Sequence, residues 1–118
     1  PDVAPYLAAA DVLVMPSRDD PLPLVPLEAA QQGTPTVGFA IGGFLDLADA
    51  GAAEVVPYPD LEAMAASVWG LLGSADARAA LVARGVDRIA QRQSAATVVP
   101  RFVALVRELV DQPGRGTP

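Results

Sequence analysis

The chain has 118 residues, 52 % of them apolar, and a net charge of −6 carried by arginine and carboxylates without lysine or histidine. That length and composition suit one domain with a proper core and exclude disorder over most of the chain. Without Cys or His, disulfides, thiol nucleophiles, catalytic imidazoles and nearly every zinc site are excluded, and the acidic balance argues against nucleic acid as a partner. Any chemistry must run on carboxylates, hydroxyls, arginines and backbone amides. No apolar run approaches the roughly 20 residues needed to cross a bilayer, and no basic leader precedes an apolar signal core, so a soluble, cytoplasmic protein is expected. The opening residues 1–9 read as the middle of something longer, and a fragment is expected.

In chain order, Pro5 suits the first turn of a short helix over about residues 4–10, where its absent N–H costs nothing. Asp11 then precedes Val12, Leu13, Val14 and Met15, a continuous apolar run of the kind that forms a strand buried on both faces. Residues 16–23 cannot be regular, because Pro21 and Pro23 lack a donor and push the residues before them toward extended backbone. From about Leu24 the pattern turns helical, with Pro26 tolerated in the first turn and Gly33 as a left-handed stop.

Thr36 to Phe39 reads as a second strand, Gly42-Gly43 as a sharp turn, residues 44–50 as two helical turns and residues 53–56 as a third strand. Asp60 caps a longer helix to about Leu72, with Glu62 in its first turn. Leu61, Met64, Ala65, Val68, Leu71 and Leu72 form its expected inner face, and Met64 and Trp69 are expected to pack in the core. Ser74 or Asp76 caps a helix to about Gln93, with Leu81, Val82 and Ile89 inward and Arg78, Arg84, Arg88 and Arg92 as a solvated row. The last helix starts at Ser94 or, because Pro100 would otherwise sit deep inside it, at Val99. Its apolar stripe is Val98, Phe102, Leu105, Val106 and Leu109. Residues 112–118 are expected to be a flexible tail.

This alternation is that of an α/β fold: three layers, a parallel sheet with helices on both faces. Three strands are few for such a sheet. Further strands are expected upstream of Pro1, pairing with the bare edge of the first strand, which otherwise offers a route to a dimer.

In open parallel sheets, ligands bind outside the carboxyl ends of the strands. The loop at residues 16–23 leaves such an end and enters a helix start whose amides suit an anion. Asp20 lies on that loop and Glu28 one helical turn in, eight positions apart. A carboxylate accepts two hydroxyl hydrogen bonds in the geometry of a vicinal diol, so the pair suits a polyhydroxylated ligand. Neither has the further acids a metal site wants. Each also has a plain structural reading: Asp before Pro is a common turn residue, and a helical Glu is ordinarily solvated. Their joint spacing within a strand, loop and helix favours the ligand reading. Gly42 and Gly43 are equally well explained as turn residues or as a loop near the ligand, and Arg18 is expected to be exposed.

Pro16-Ser17, Asp20, Glu28-Ala29-Ala30, Gly33 and Pro35 together resemble the E-x7-E signature region of the retaining GT-B glycosyltransferases, family four. The resemblance extends more loosely through Gly42-Gly43 and Val55-Val56 to the last helix. It implies the partial, Rossmann-like C-terminal domain of a GT-B fold over residues 1–111, binding a nucleotide sugar without a metal cofactor. By it, Glu28 would bind the ribose hydroxyls. Asp20, where the family usually has its first glutamate, would be the catalytic residue, lying beside the transferred hexose or related sugar to help position it or stabilise charge at the reacting centre. Backbone amides of Leu22, Leu24 and Val25 would face sugar and diphosphate, and the loop of Gly42 and Gly43 would approach the donor. The acceptor domain and the basic residues for the diphosphate would lie upstream, along with any peripheral association with membranes, so these residues alone would be inactive. Asp for Glu, and Pro21 and Pro23 where the family has glycines, are departures that bear on donor identity. The alternatives are a non-catalytic nucleotide-binding or interaction domain of the same fold and, more remotely, a sugar-nucleotide epimerase.

Overall fold

A computed structural model describes residues 2–111. Its elements are α1 (Ala4–Ala9), β1 (Leu13–Met15), α2 (Val25–Gln31), β2 (Thr36–Phe39), α3 (Gly43–Asp49), β3 (Glu54–Val56), α4 (Leu61–Leu72), α5 (Ala75–Arg88), a π-helical turn (Ile89–Gln93) and α6 (Ala95–Val110). By internal contacts the chain divides into two compact units, Pro1–Arg88 and Ile89–Pro118. The expected tail at 112–118 lies outside the described residues.

The first unit holds a three-stranded parallel sheet in the order β1-β2-β3, with Leu13 opposite Thr36, Met15 opposite Gly38 and Phe39 opposite Val56. All four residues of the central strand are buried, because helices cover both of its faces. On one face the fully buried ring of Phe44 from α3 lies against Gly38. Side chains alternate along a strand, so Val37 and Phe39 point the other way. There they join Val56, Met64 and Leu71 of α4, and Leu81 of α5 in the core. Burial of these apolar side chains, each worth about 1.5–3 kcal/mol, is what holds the layers together.

The turn signals act where they were read. Pro5 and Pro26 stand in the first turns of α1 and α2, and Gly33 ends α2 with φ 86°. Asp60 caps α4 by accepting the Ala63 N–H at 2.8 Å, and Ser74 Oγ accepts the Ala77 N–H at the start of α5. Thr34, 2 % exposed, donates its hydroxyl to the carbonyl oxygen of Leu7 at 2.5 Å and so ties α1 to the end of α2. Helix α5 closes the amino ends of the strands, since Gly85 meets Ala30 near the end of α2 and the Arg84 Nε–H donates to the Gly51 carbonyl ahead of β3.

Four expectations need correction. Strand β1 is not buried on both faces: Val14 is 39 % exposed, because β1 is an edge strand and α4 packs over β2 and β3. On α4, Leu61, Ala65 and Leu72 are exposed while Met64, Val68 and Leu71 pack inward with Ala63. The Ser67 hydroxyl donates to Glu54 of β3 at 2.5 Å, which turns the Ala63 and Ser67 side of the helix to the sheet. Trp69 is rotated out by the same turn and is 77 % exposed, not core. The arginine row is not simply solvated: Arg78 donates to the carbonyls of Leu71 and Leu72 at the end of α4, and Arg84 is held by Gly51.

In the second unit, the last helix starts at Ser94, whose Oγ accepts the Thr97 N–H; Pro100 lies inside α6. Proline there removes one intrahelical bond, and the cap together with Thr97 Oγ1–H donating to Ala90 at 3.0 Å secures the turn before it. Val98, Phe102, Leu105, Val106 and Leu109 are all exposed.

Candidate functional site

The strands end at Met15, Phe39 and Val56, and parallel pairing brings the three loops that follow to one edge of the sheet. The first, residues 16–24, carries the acid. Asp20 is half-buried, and its Oδ1 accepts the Leu22 N–H at 3.3 Å, an Asx turn that orients the carboxylate back along its own loop. Pro23 is buried beneath the loop, whereas Leu22 and Leu24 have their side chains exposed.

At the start of α2, the Leu24 carbonyl accepts the N–H groups of Leu27 and Glu28 at 2.9 and 3.1 Å. Pro26 has no N–H, so the amides that face outward at this helix start are those of Leu24 and Val25. Neither donates a hydrogen bond to another described residue. Glu28 is exposed in the first turn, with no side-chain hydrogen bond or ion pair among the described residues. Its carboxylate therefore projects from the same loop and helix unit that carries Asp20.

The second loop closes onto the first. The Gly43 N–H donates to the backbone carbonyl of Asp20 at 2.9 Å, and Gly42 adopts φ 46°. The structure thus brings together Asp20 and the two glycines, for which sequence spacing alone favours neither a plain turn nor a loop near the ligand. The third loop adds Tyr58, whose ring stands edge-on to Phe39 with centroids 5.2 Å apart. Sequence reading passed over Tyr58; its place directly after a strand, before a capped helix, was the available signal. Arg18, the one cation before Arg78, is exposed on the first loop. Among the described residues, no three His, Cys, Asp or Glu side chains are grouped to hold a metal ion. No described helix is long and apolar enough to cross a membrane.

Residues 1–74, which contain the whole sheet and all three loops, match the family described as glycosyl transferases group 1. The chain belongs to that family. This glycosyltransferase domain is 36 % identical over 109 residues to a D-inositol 3-phosphate glycosyltransferase of Corynebacterium urealyticum, covering 92 % of this chain and 26 % of the relative. It is 34 % identical over 97 residues to a 2-deoxystreptamine N-acetyl-D-glucosaminyltransferase of Streptomyces fradiae, covering 81 % of this chain and 23 % of that protein. Among solved structures, sucrose-phosphate synthase from Thermosynechococcus elongatus superimposes with a TM-score of 0.82 at 28 % identity, covering 92 % of this chain and 27 % of that one. The group 1 domain described here spans about a quarter of the length of these relatives. The GT-B architecture expected from the acid pair and its flanking residues is therefore the architecture of the fold.

Proposed function

We propose that this glycosyltransferase domain binds the donor, a nucleoside diphosphate sugar, for transfer to an acceptor with retention at the anomeric carbon. In that reaction the bond between the anomeric carbon and the diphosphate breaks with its electron pair leaving on phosphate, and an acceptor hydroxyl oxygen takes its place, its proton passing to the departing phosphate. Glu28 accepts the two ribose hydroxyls. Asp20 stands beside the sugar, where its charge favours the positive character that develops at the anomeric carbon. The amides of Leu24 and Val25 meet the diphosphate, the place where negative charge accumulates, and the reading assigns no part of this to a metal.

The observation that carries the reading is the pairing of an exposed, unengaged Glu28 with Asp20 on one loop and helix at the carboxyl edge of a parallel sheet. Titration of the full-length protein with UDP and with GDP tests it. Glu28→Ala should weaken the preferred nucleotide about 10- to 100-fold, the loss of one to two charge-assisted hydrogen bonds. Because Glu28 is exposed, the variant keeps its fold, and an unchanged affinity would remove the ribose role.

A second reading, a nucleotide-binding homologue without transfer, draws on the same loop. Pro21 and Pro23 delete two amide donors, and the Leu22 N–H is already given to Asp20. Asp20→Asn separates the two, since a transferase loses turnover while retaining nucleotide affinity, and a binding homologue has no turnover to lose.

A further inference from the structure

We propose that Gly42 and Gly43 act on the reaction through Asp20, as a latch that positions the acid, and not as contacts to the donor. The proposal rests on the reading of Asp20 as the acid beside the sugar. Three observations carry it. First, the Gly43 N–H donates to the Asp20 carbonyl at 2.9 Å, so the second loop holds the backbone of the acid itself. Second, the approach leaves no room for a side chain. A Cβ at Gly42 would fall on the Asp20 carbonyl oxygen, and one at Gly43 would stand 2.5 Å from Pro23 Cδ and 2.7 Å from the Pro21 carbonyl oxygen. Third, Gly42 reaches this approach with φ 46° and ψ −133°, a backbone that L side chains rarely adopt.

The arrangement accounts for the prolines as well. Pro21 and Pro23 stiffen the chain after Asp20, and their bulk is accommodated because the facing residue is Gly43. Asp20 is thus bounded by its own Asx turn, by two fixed φ angles after it and by a hydrogen bond from the neighbouring loop. A carboxylate held this way has its position set before the donor arrives, which is the condition for electrostatic stabilisation of a developing charge.

Gly42→Ala is the test and Gly33→Ala its control. Gly33 also has a positive φ, of 86°, but no atom lies within 4 Å of its would-be Cβ, so the control places an alanine at a second positive-φ glycine without touching the loop. In the isotopically labelled protein, Gly42→Ala should shift the backbone resonances of residues 19–24 and strip hydrogen-exchange protection from the Gly43 amide, while Gly33→Ala leaves both as in the wild type. In the full-length protein, Gly42→Ala should lower kcat by on the order of 10²-fold with nucleotide affinity changed less than about threefold, and Gly33→Ala should leave kcat unaltered. Loop resonances that are the same in both variants would overturn the latch. A parallel loss of nucleotide affinity would instead make the glycines donor contacts and overturn it too. If the resonances move as expected but Asp20→Asn leaves kcat intact, the latch stands as geometry and the assignment of Asp20 as the acid fails.

Discussion

Gly38 decides how closely α3 can approach the sheet, and with it where the Gly42 turn meets the acid loop. A Cβ at Gly38 would stand 2.5 Å from Cε1 and 2.7 Å from Cδ1 of Phe44, whereas carbon atoms rest at roughly 3.5–4.0 Å. Phe44 is fully buried and cannot turn aside, so Gly38→Ala demands about 1 Å of movement from ring, helix or strand. Overpacking of this kind costs about 1–3 kcal/mol, against a gain of roughly 0.5–1 kcal/mol from replacing a strand glycine by alanine. The net expectation is a loss centred on about 1 kcal/mol and reaching at most roughly 2.5 kcal/mol, and each kcal/mol lowers Tm by about 4–8 °C in a unit of this size. Urea denaturation of Gly38→Ala, Phe44→Leu and the double variant measures it. The smaller leucine makes room for the new methyl, so the double variant should be more stable than the sum of the single losses by about 0.5 kcal/mol or more. A Gly38→Ala protein as stable as wild type, or strictly additive single losses, would refute the close-packing argument.

Other consequences follow from particular contacts. Thr34→Val should cost about 1–2 kcal/mol in urea, since it removes the donor to the buried Leu7 carbonyl while keeping the side chain's shape. Asp60→Ala should cost about 1 kcal/mol through loss of the α4 cap, read as a lower Tm with m unchanged. Trp69 is the sole tryptophan, so the emission of the native protein should be that of a solvated indole, open to iodide quenching; Trp69→Ser should alter stability by no more than about 0.5 kcal/mol. Arg84→Met should reduce stability slightly by freeing the Gly51 carbonyl, yet leave nucleotide affinity intact, because that contact lies at the amino ends of the strands, opposite the proposed site.

Much of the fold was legible along the chain because its signals are local. An apolar run before a proline, a proline admitted only to a first helical turn, a positive-φ glycine after α2 and an aspartate ahead of Leu61 each act within a few residues, and each stands where it was read. The helix faces were less legible. Periodicity marks Leu61, Ala65 and Leu72 as apolar neighbours of Met64, but the arc that meets the sheet is the one on which Met64, Val68 and Leu71 join the core and Ser67 donates to Glu54. The arginines of α5 could not be placed from spacing, because the carbonyls they serve belong to residues 6 to 33 positions away in the chain.

The site divides along the same line. Sequence alone determined that Asp20 and Glu28 stand eight positions apart across a loop and a helix start, and that this loop leaves a strand, since these follow from proline, glycine and apolar spacing. Only the tertiary structure decided that Gly42 and Gly43 close on Asp20. That contact joins residues more than twenty positions apart through parallel pairing of β1 with β2, and no local rule reports which loops a sheet will set side by side.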